Sequence, residues 1–378
     1  MDAAPADYLS VRRNRGIDAY KLKAGMILQS CSGRNLGPAV IVDRYLEQFL
    51  IGDDMLRIEI ADENLRYYTL AFLKSSLAQA LLRQGKTGSV IDHISIMHVA
   101  SIQIPLLSGI EFRAVSGAMR DACELKEKAR LTLADAEMQY EASLPALNRM
   151  IPMASGWTIK SRKLTGRLDA ASYDPLVSKV RKALLDAGGK PVKEVADALK
   201  TPGRYKRYYV SREHGTPILS GTQLLQHTPI NLQFLAPRAV SNPKIFELKD
   251  GWIAYQAEGR AEETLGLPIV VSPDRRGWFA NNHVGRLVPK AGVSGGWLYT
   301  ALRTPHCQTQ IKSLASGSVV DSTFPSDMET VILPPTAPGF EWSRVDEAWR
   351  DFAQVSNLEN KSVRLLEKHL SEPELRLT

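Results

Sequence analysis

The chain has 378 residues, 44% of them hydrophobic, a formal net charge of +7 and a pI of about 9.2. That is room for two domains with ordinary cores, and the moderate basic excess suits a polyanionic partner. Cys31, Cys123 and Cys307 are odd in number and far apart, which argues against a disulfide framework or a zinc site; Met1–Pro5 opens no signal peptide and no run reaches membrane-spanning length, so a cytoplasmic protein is expected.

In chain order, Met26–Ser30 and Ala39–Val42 read as short strands joined by a turn-rich loop, Ser32–Pro38, that carries Arg34. Met55–Ile60 alternates as a strand. Tyr67–Leu82 has helical spacing through Leu70, Leu73, Leu77 and Leu81. Gly85–Asp92 and a last strand over Ala100–Pro105 close this first part.

Ile110–Asn148 then reads as one long helix. Val115, Met119, Ala122, Ala129, Leu133, Ala136, Tyr140 and Leu147 alternate at spacings of four and three, interrupted only by Lys126 and Ser143. This is the apolar seam of a coiled coil, and the charged residues between seam positions, among them Arg130 and Glu137, are expected on solvated faces. At about 1.5 Å per residue the stretch makes a spacer of roughly 50 Å that cannot bury its stripe alone.

The first part then recurs. Tyr8-Leu9 matches Phe234-Leu235, Tyr20–Ile27 matches Phe246–Ile253, and Gly33-Arg34 matches Gly259-Arg260, all at an offset of 226. Arg57-Ile58 matches Arg286-Leu287, Lys74-Ser75 matches Arg303-Thr304, Gly88–Asp92 matches Gly317–Asp321, and Ile104-Pro105 matches Leu333-Pro334, all at 229. One offset held over dozens of residues, with a single change of three, marks a duplicated domain; the period is far too long for a solenoid. The helix is duplicated too: Trp342, Val345, Trp349, Phe352, Val363, Leu366 and Leu370 form a second seam with Ser356 and Glu359 as polar exceptions. Two such stripes bury each other most economically as an antiparallel pair, with one domain at each end. The second copy has a preamble, about Gly166–His227, with a helix-like stretch around Val177–Ala187 followed by Val192–Lys200. The first copy lacks this preamble, since Met1 aligns with His227. The expected fold class is therefore α+β. Two repeated mixed α/β domains, 1–108 (N-terminally short) and 167–336, alternate with a central helix and linker, 109–166, and a C-terminal helix, 337–378.

The catalytic motifs fail on context. Gly85-Lys86-Thr87 lacks the glycine five residues before it, where Ala80 stands, and follows a helix rather than a strand. Gly292–Gly296 matches the nucleophile-elbow pattern literally, but no strand leads into it, and it reads as a loop opening a helix at Trp297. The seven histidines show no metal spacing. No catalytic residue and no metal site are expected.

What remains is basic and aromatic. Lys200, Arg204, Tyr205, Lys206, Arg207, Tyr208 and Arg212 form the densest cluster, with cations suited to phosphates and phenols suited to phosphates and sugars. Arg12, Arg13 and Arg15 open the first domain, and Arg34 and Arg260 occupy equivalent glycine loops. Arginine is the preferred reader of guanine edges, although any one of these taken singly is as well explained as a solvated surface charge. These twelve positions are the expected DNA contacts.

The order Leu22–Leu28, Ser32-Gly33, Gly88-Ser89, Ile104-Pro105, with its second-copy partners, and the lead-in Arg167–Asp169 to Tyr173–Pro175 resemble the specificity subunit of type I restriction-modification systems. The resemblance covers nearly the whole chain. It implies that each domain reads half of a split site in double-stranded DNA, and that the paired helices measure the gap and dock two methyltransferase subunits. It further implies that S-adenosylmethionine, ATP and Mg are held by methyltransferase and restriction/motor subunits, with none bound by this non-catalytic chain. The missing start of the first domain departs from that pattern. The alternative is a coiled-coil scaffold whose paired domains bind proteins.

Overall fold

The computed structural model describes residues 8–10, 12–32, 39–85, 93–147, 156–164, 166–167, 169–199, 206–229, 231–239, 242–261, 263–317 and 320–371. The chain divides into two compact units: one from Asp2–Leu131 with Asp351–Thr378, the other from Thr132–Arg350.

In the first unit, β1 (Ile27–Ser30) lies between β2 (Val40–Ile41) and β3 (Met55–Ile58) in an antiparallel sheet. α1 (Glu63–Lys74) starts where the Asp62 carboxylate accepts the Leu65 N–H at 2.7 Å. The continuous helix expected over Tyr67–Leu82 is in fact two. The Ser75 hydroxyl donates to the Phe72 carbonyl at 2.6 Å and accepts from Ala78 N, so one side chain ends α1 and begins α2 (Ser76–Gln84). α3 (Ile96–Ser101) is capped by Ser95 and takes residues expected to be extended; among the described residues no strand pairs with Ile102–Pro105. The core joins Ile27, Tyr68, Leu70, Phe72, Leu82 and Ile94 to the helix stripe through Val115, Met119 and Leu366.

The long helix is α4 (Gly109–Ala142), which ends six residues earlier than expected. Ser143 turns back on the Tyr140 carbonyl and Pro145, with no N–H to give, follows; Asn148 lies outside the described residues. Every seam position from Val115 to Tyr140 is buried except Lys126; beyond Tyr140, Ser143 is exposed and Leu147 half-buried.

The second unit opens with α5 (Pro175–Asp186), β4 (Lys190–Pro191), the single turn α6 (Val192–Val195), β5 (Ala196–Leu199), β6 (Tyr209–Val210), β7 (Thr216–Leu219), α7 (Gly221–Leu224) and β8 (Gln233–Leu235). Then come β9 (Ile253–Gln256), β10 (Glu258–Gly259), β11 (Pro268–Val270), β12 (Phe279–Ala280) and β13 (Val284–Pro289). α8 (Gly295–Arg303), α9 (Pro305–Ser313), β14 (Asp321–Ser322), α10 (Pro325–Met328), β15 (Ile332–Leu333) and α11 (Ser343–Ser371) complete the chain. The Gly292–Gly296 segment opens a helix as expected, since Ser294 accepts from Trp297 N and caps α8. One sheet runs β11-β9-β13-β5 and another β12-β7-β8-β6.

The repeat is kept down to strand register. Ile27 faces Ile41 and Ile58; at the offsets of the sequence repeat, Ile253 faces Val270 and Leu287. Ser30 faces Met55, and Gln256 faces Val284. The lone bridge Ser32–His93 becomes the β10–β14 pair Glu258–Ser322. α2 and α9 span equivalent residues, and Thr304 repeats the double role of Ser75, donating to Ala301 O and capping α9. Gly25 and Gly251 both take positive φ, 90° and 76°, to make the same turn, closed by Val42 and Val271 carbonyls. Tyr8 and Leu9 do not share this order. Their partners Phe234 and Leu235 lie in β8, held by β6 and β7 from the preamble, whereas Tyr8 and Leu9 are exposed and in no strand.

One polar interruption from each seam, Lys126 and Glu359, meet in the first unit. Lys126 Nζ lies 3.5 Å from Glu359 Oε1, and Lys74 Nζ lies 2.9 Å from Glu359 Oε2, with all three side chains at most 14% exposed. There α4 and α11 run antiparallel, with Ser362 Oγ donating to Val115 O at 2.7 Å and Lys128 pairing with Asp351. In the second unit the end of α4 meets the start of α11 through Arg344, which bonds Asp135 and Gln139. Two charges expected on solvated faces are engaged instead. Arg130 is buried and donates to Asp43 at 2.6 Å, and Glu137 accepts from Tyr299 and Arg303.

Candidate nucleic-acid interface

Segments of the second unit meet around Lys206, Arg207 and Tyr208, the described end of the basic cluster. β6 begins at Tyr209, so Lys206, Arg207 and Tyr208 sit on its entry, and β6 is an edge strand of its sheet. The turn between β12 and β13 presents Asn282 and His283; β10 presents Glu258 just before Arg260. Arg207 Nη2 donates to the Asn282 side-chain carbonyl, and His283 Nδ1 pairs with the Glu258 carboxylate. Gln256 Nε2 donates to the Glu258 backbone at 3.0 Å, and Asp321 takes the Ala261 N–H at 2.9 Å, so both flanks of the Arg260 turn are tied down. Lys206 Nζ stands 4.9 Å from the Tyr208 ring centre. Tyr208 and Tyr209 are both nearly half exposed.

This patch offers a guanidinium and a carboxamide held to each other, an imidazole held to a carboxylate, two open aromatic rings and outlying cations. Arg and Asn are the side chains whose paired donors and acceptors match guanine and adenine edges; Lys and Tyr suit phosphate and sugar. Arg260 is an exposed side chain with Glu263 at 3.6 Å, and Arg212 is exposed in the turn before β7.

Of the expected contacts, Lys206, Arg207, Tyr208 and Arg260 are thus joined by one run of contacts and short links, with Arg212 following β6. Arg12, Arg13 and Arg15 are exposed in the first unit, at a turn in which Arg13 N and Asn14 N both donate to the Ser10 carbonyl. Arg34, Lys200, Arg204 and Tyr205 lie outside the described residues, as do Gly88-Ser89 and Ser318. Asn282, His283 and Glu258 were not anticipated. Their signal was the polar triplet Asn281-Asn282-His283 between two apolar strands, opposite the glycine loop.

The equivalent positions of the first unit carry different chemistry on the same frame. Asp53 and Asp54 stand for Asn282 and His283, and Ser32 stands for Glu258. There the Ser32 hydroxyl donates to the Asp54 carboxylate. The Cys31 thiol beside it is pushed up by burial and by Asp54.

Other arginines are structural. Arg275 is buried and donates to the carbonyls of Leu224, Gln226 and His227. Arg167 grips Asp169 and the carbonyls of Leu314 and Ala315, so the lead-in of the second domain clasps the end of α9. That hydrogen bond holds the Asp169 carboxyl at about 2. Among the described residues no group of three or more His, Cys, Asp or Glu is placed to hold a metal ion, and no helix is long and apolar enough to cross a membrane.

No family model and no curated protein matches the chain. Solved structures do. The S subunit of a type I restriction-modification system from M. genitalium is 15% identical, with 94% of this chain and 81% of that one covered at a TM-score of 0.30. The HsdS subunit from Thermoanaerobacter tengcongensis is 13% identical over 96% and 79%, also at 0.30. A chain from a structure on complex assembly and conformational transition of the type I R-M system is 15% identical over 92% and 80%, at 0.32.

Proposed function

We propose that this chain is the specificity subunit of a type I restriction-modification system. Each copy reads one part of a bipartite site in double-stranded DNA. The chain docks two methyltransferase subunits, which bind S-adenosylmethionine, and restriction/motor subunits, which use ATP and Mg. It makes no bond itself. The observation that carries the reading is the pair of frames with one strand register and divergent polar side chains at equivalent positions, Asn282-His283-Glu258 against Asp53-Asp54-Ser32. A shared frame with different edges suits two different half-sites.

Co-expression with a methyltransferase and mapping of methylated genomic positions tests it. A two-part motif lost on deletion of this chain is expected. Arg207→Ala or Asn282→Ala should relax one half of that motif, each lost base contact costing roughly 1–3 kcal/mol. Lys206→Ala should weaken binding across all sequences and lower the salt slope by about one. No two-part motif lost on deletion, together with no duplex affinity at low salt, would overturn this reading in favour of the protein scaffold.

A further inference from the structure

The two copies close the same loop with the same backbone bonds. Cys31 N donates to Asp54 O at 2.8 Å, and at the repeat offsets Ala257 N donates to His283 O at 2.8 Å. Ile94 N donates to Cys31 O at 2.8 Å, and its counterpart Thr323 N to Ala257 O at 2.9 Å. On this frame one side-chain bond crosses from just beyond β1 or β9 to the turn that leads into β3 or β13. In the first copy the Ser32 hydroxyl donates to the Asp54 carboxylate; in the second His283 Nδ1 donates to the Glu258 carboxylate. Ser32 is equivalent to Glu258, and Asp54 to His283. Donor and acceptor have changed places, yet each copy keeps one carboxylate and anchors it by one oxygen.

In the second copy the bonds run in one direction. Arg207 donates to Asn282 Oδ1. Asn282 Nδ2, which can only donate, lies 3.4 Å from His283 Nε2, so His283 carries its proton on Nδ1, toward Glu258. Oε2 of Glu258 takes that proton's bond, which leaves Oε1 to accept another; in the first copy Ser32 takes Oδ1 of Asp54 and leaves Oδ2. Asp54 is exposed, and the Glu258 side chain is 31% exposed. Two neutral groups would close the loop as well. A negative charge beside Lys206, Arg207 and Arg260 opposes a polyanion unless the polyanion offers it a donor.

A carboxylate has acceptors only. In the major groove cytosine and adenine present an amine, whereas guanine presents N7 and O6 and thymine O4, all acceptors. Against those acceptors the carboxylate is left desolvated and unpaired, which is how a surface rejects a wrong partner. We propose, resting on the reading that these edges face DNA, that the anchored carboxylate of each copy selects a base bearing an exocyclic amine, adenine or cytosine, and rejects guanine and thymine. Glu258 does so at one position of the second copy's half-site, and Asp54 at one position of the first's.

The test is the full chain co-expressed with a methyltransferase, with methylated positions mapped for the wild type, Glu258→Gln and Asp54→Asn. Each amide keeps an oxygen for the anchoring donor, so the loops stay closed, and each adds an N–H group that guanine or thymine can accept. Each variant should lower the preference for adenine or cytosine at one position by roughly tenfold or more. The position should lie in one half of the motif for Glu258→Gln and in the other half for Asp54→Asn. Binding of a random-sequence duplex should rise in both, because a negative charge leaves the surface that meets the phosphates; loss of a merely structural bond would lower it. An unchanged motif in either variant overturns the proposal and leaves the specificity-subunit reading standing. So does a variant that loses a whole half-site and random-duplex binding together. A wild-type chain that directs no two-part motif overturns that reading and the proposal with it.

Discussion

Replacing Glu359 by Gln should destabilise the first unit far more than a helix-surface change would. Glu359 is 5% exposed and faces two ammonium groups, Lys74 at 2.9 Å and Lys126 at 3.5 Å, themselves 9% and 14% exposed. At the effective dielectric of protein sites each attraction is about 5 kcal/mol, set against the cost of taking three charges out of water. The net worth of the triad is therefore small, but removing its centre leaves two like charges buried together, and that costs about 3–5 kcal/mol. The molecule provides a way to localise the effect. All six tryptophans, from Trp157 to Trp349, belong to the second unit. In urea, hydrogen exchange over residues 63–131 should report the loss, while the tryptophan fluorescence transition moves much less. Replacing all three residues by Met should restore the first-unit stability or exceed it, since a packed apolar triple carries no desolvation cost. A Glu359→Gln loss under about 1 kcal/mol would refute the burial argument, because that is what an exposed pair is worth.

The same burial lowers the Lys126 pKa, desolvation outweighing the pull of Glu359. The unfolded chain then binds more protons just below the free-lysine value of 10.5, so this group makes stability rise with pH in that alkaline interval. The wild type minus Lys126→Met difference, followed by urea titration at stepped pH, should show that upward slope. Burial pushes the Cys123 and Cys307 thiols up to about 12, so a disulfide reagent at pH 8 should modify only Cys31 in the native chain and all three thiols in guanidinium. Tyr140→Phe should cost roughly 1–3 kcal/mol in the fluorescence transition. The Tyr140 hydroxyl accepts from Trp297 Nε1 at 3.1 Å and donates to Pro335 O at 2.8 Å, and Phe leaves both buried groups unmet.

The duplication was legible because both its carriers are local and periodic. Tyr20–Ile27 and Phe246–Ile253 share a pattern of apolar residues around one glycine turn, and the two stripes share a spacing that solvent alone explains. Lys126 and Glu359 were legible only as defects in separate stripes, since nothing local says that one defect completes the other. Ser75 falls inside one helical pattern because a hydroxyl that ends a helix and begins the next differs from a mid-helix serine only in its bonds. The strand expected at Ala100–Pro105 has the right residues, and its counterpart Ile332–Leu333 is a strand. The difference is a partner, Lys190–Pro191, which propensity cannot supply. At the patch, charge marks Arg207 in the sequence, whereas Asn282, His283 and Glu258 are each, taken alone, ordinary polar residues. Their meaning comes from β6, β10 and the β12–β13 turn converging.

The three residues by which the offset changes fall between Gly259 and Pro268, just beyond the Arg260 turn, while the turns at Gly25 and Gly251 and the carbonyls of Val42 and Val271 that close them stay in step. The longer segment brings bonds of its own: Gly266 N donates to Gln256 O at 2.8 Å and Gln256 N to Leu267 O at 3.3 Å, so the β9–β11 pairing runs on past Pro268 into the added residues. Length changes here because the fixed points on either side, the Gly251 turn and the Val271 carbonyl that closes it, both lie outside the insertion.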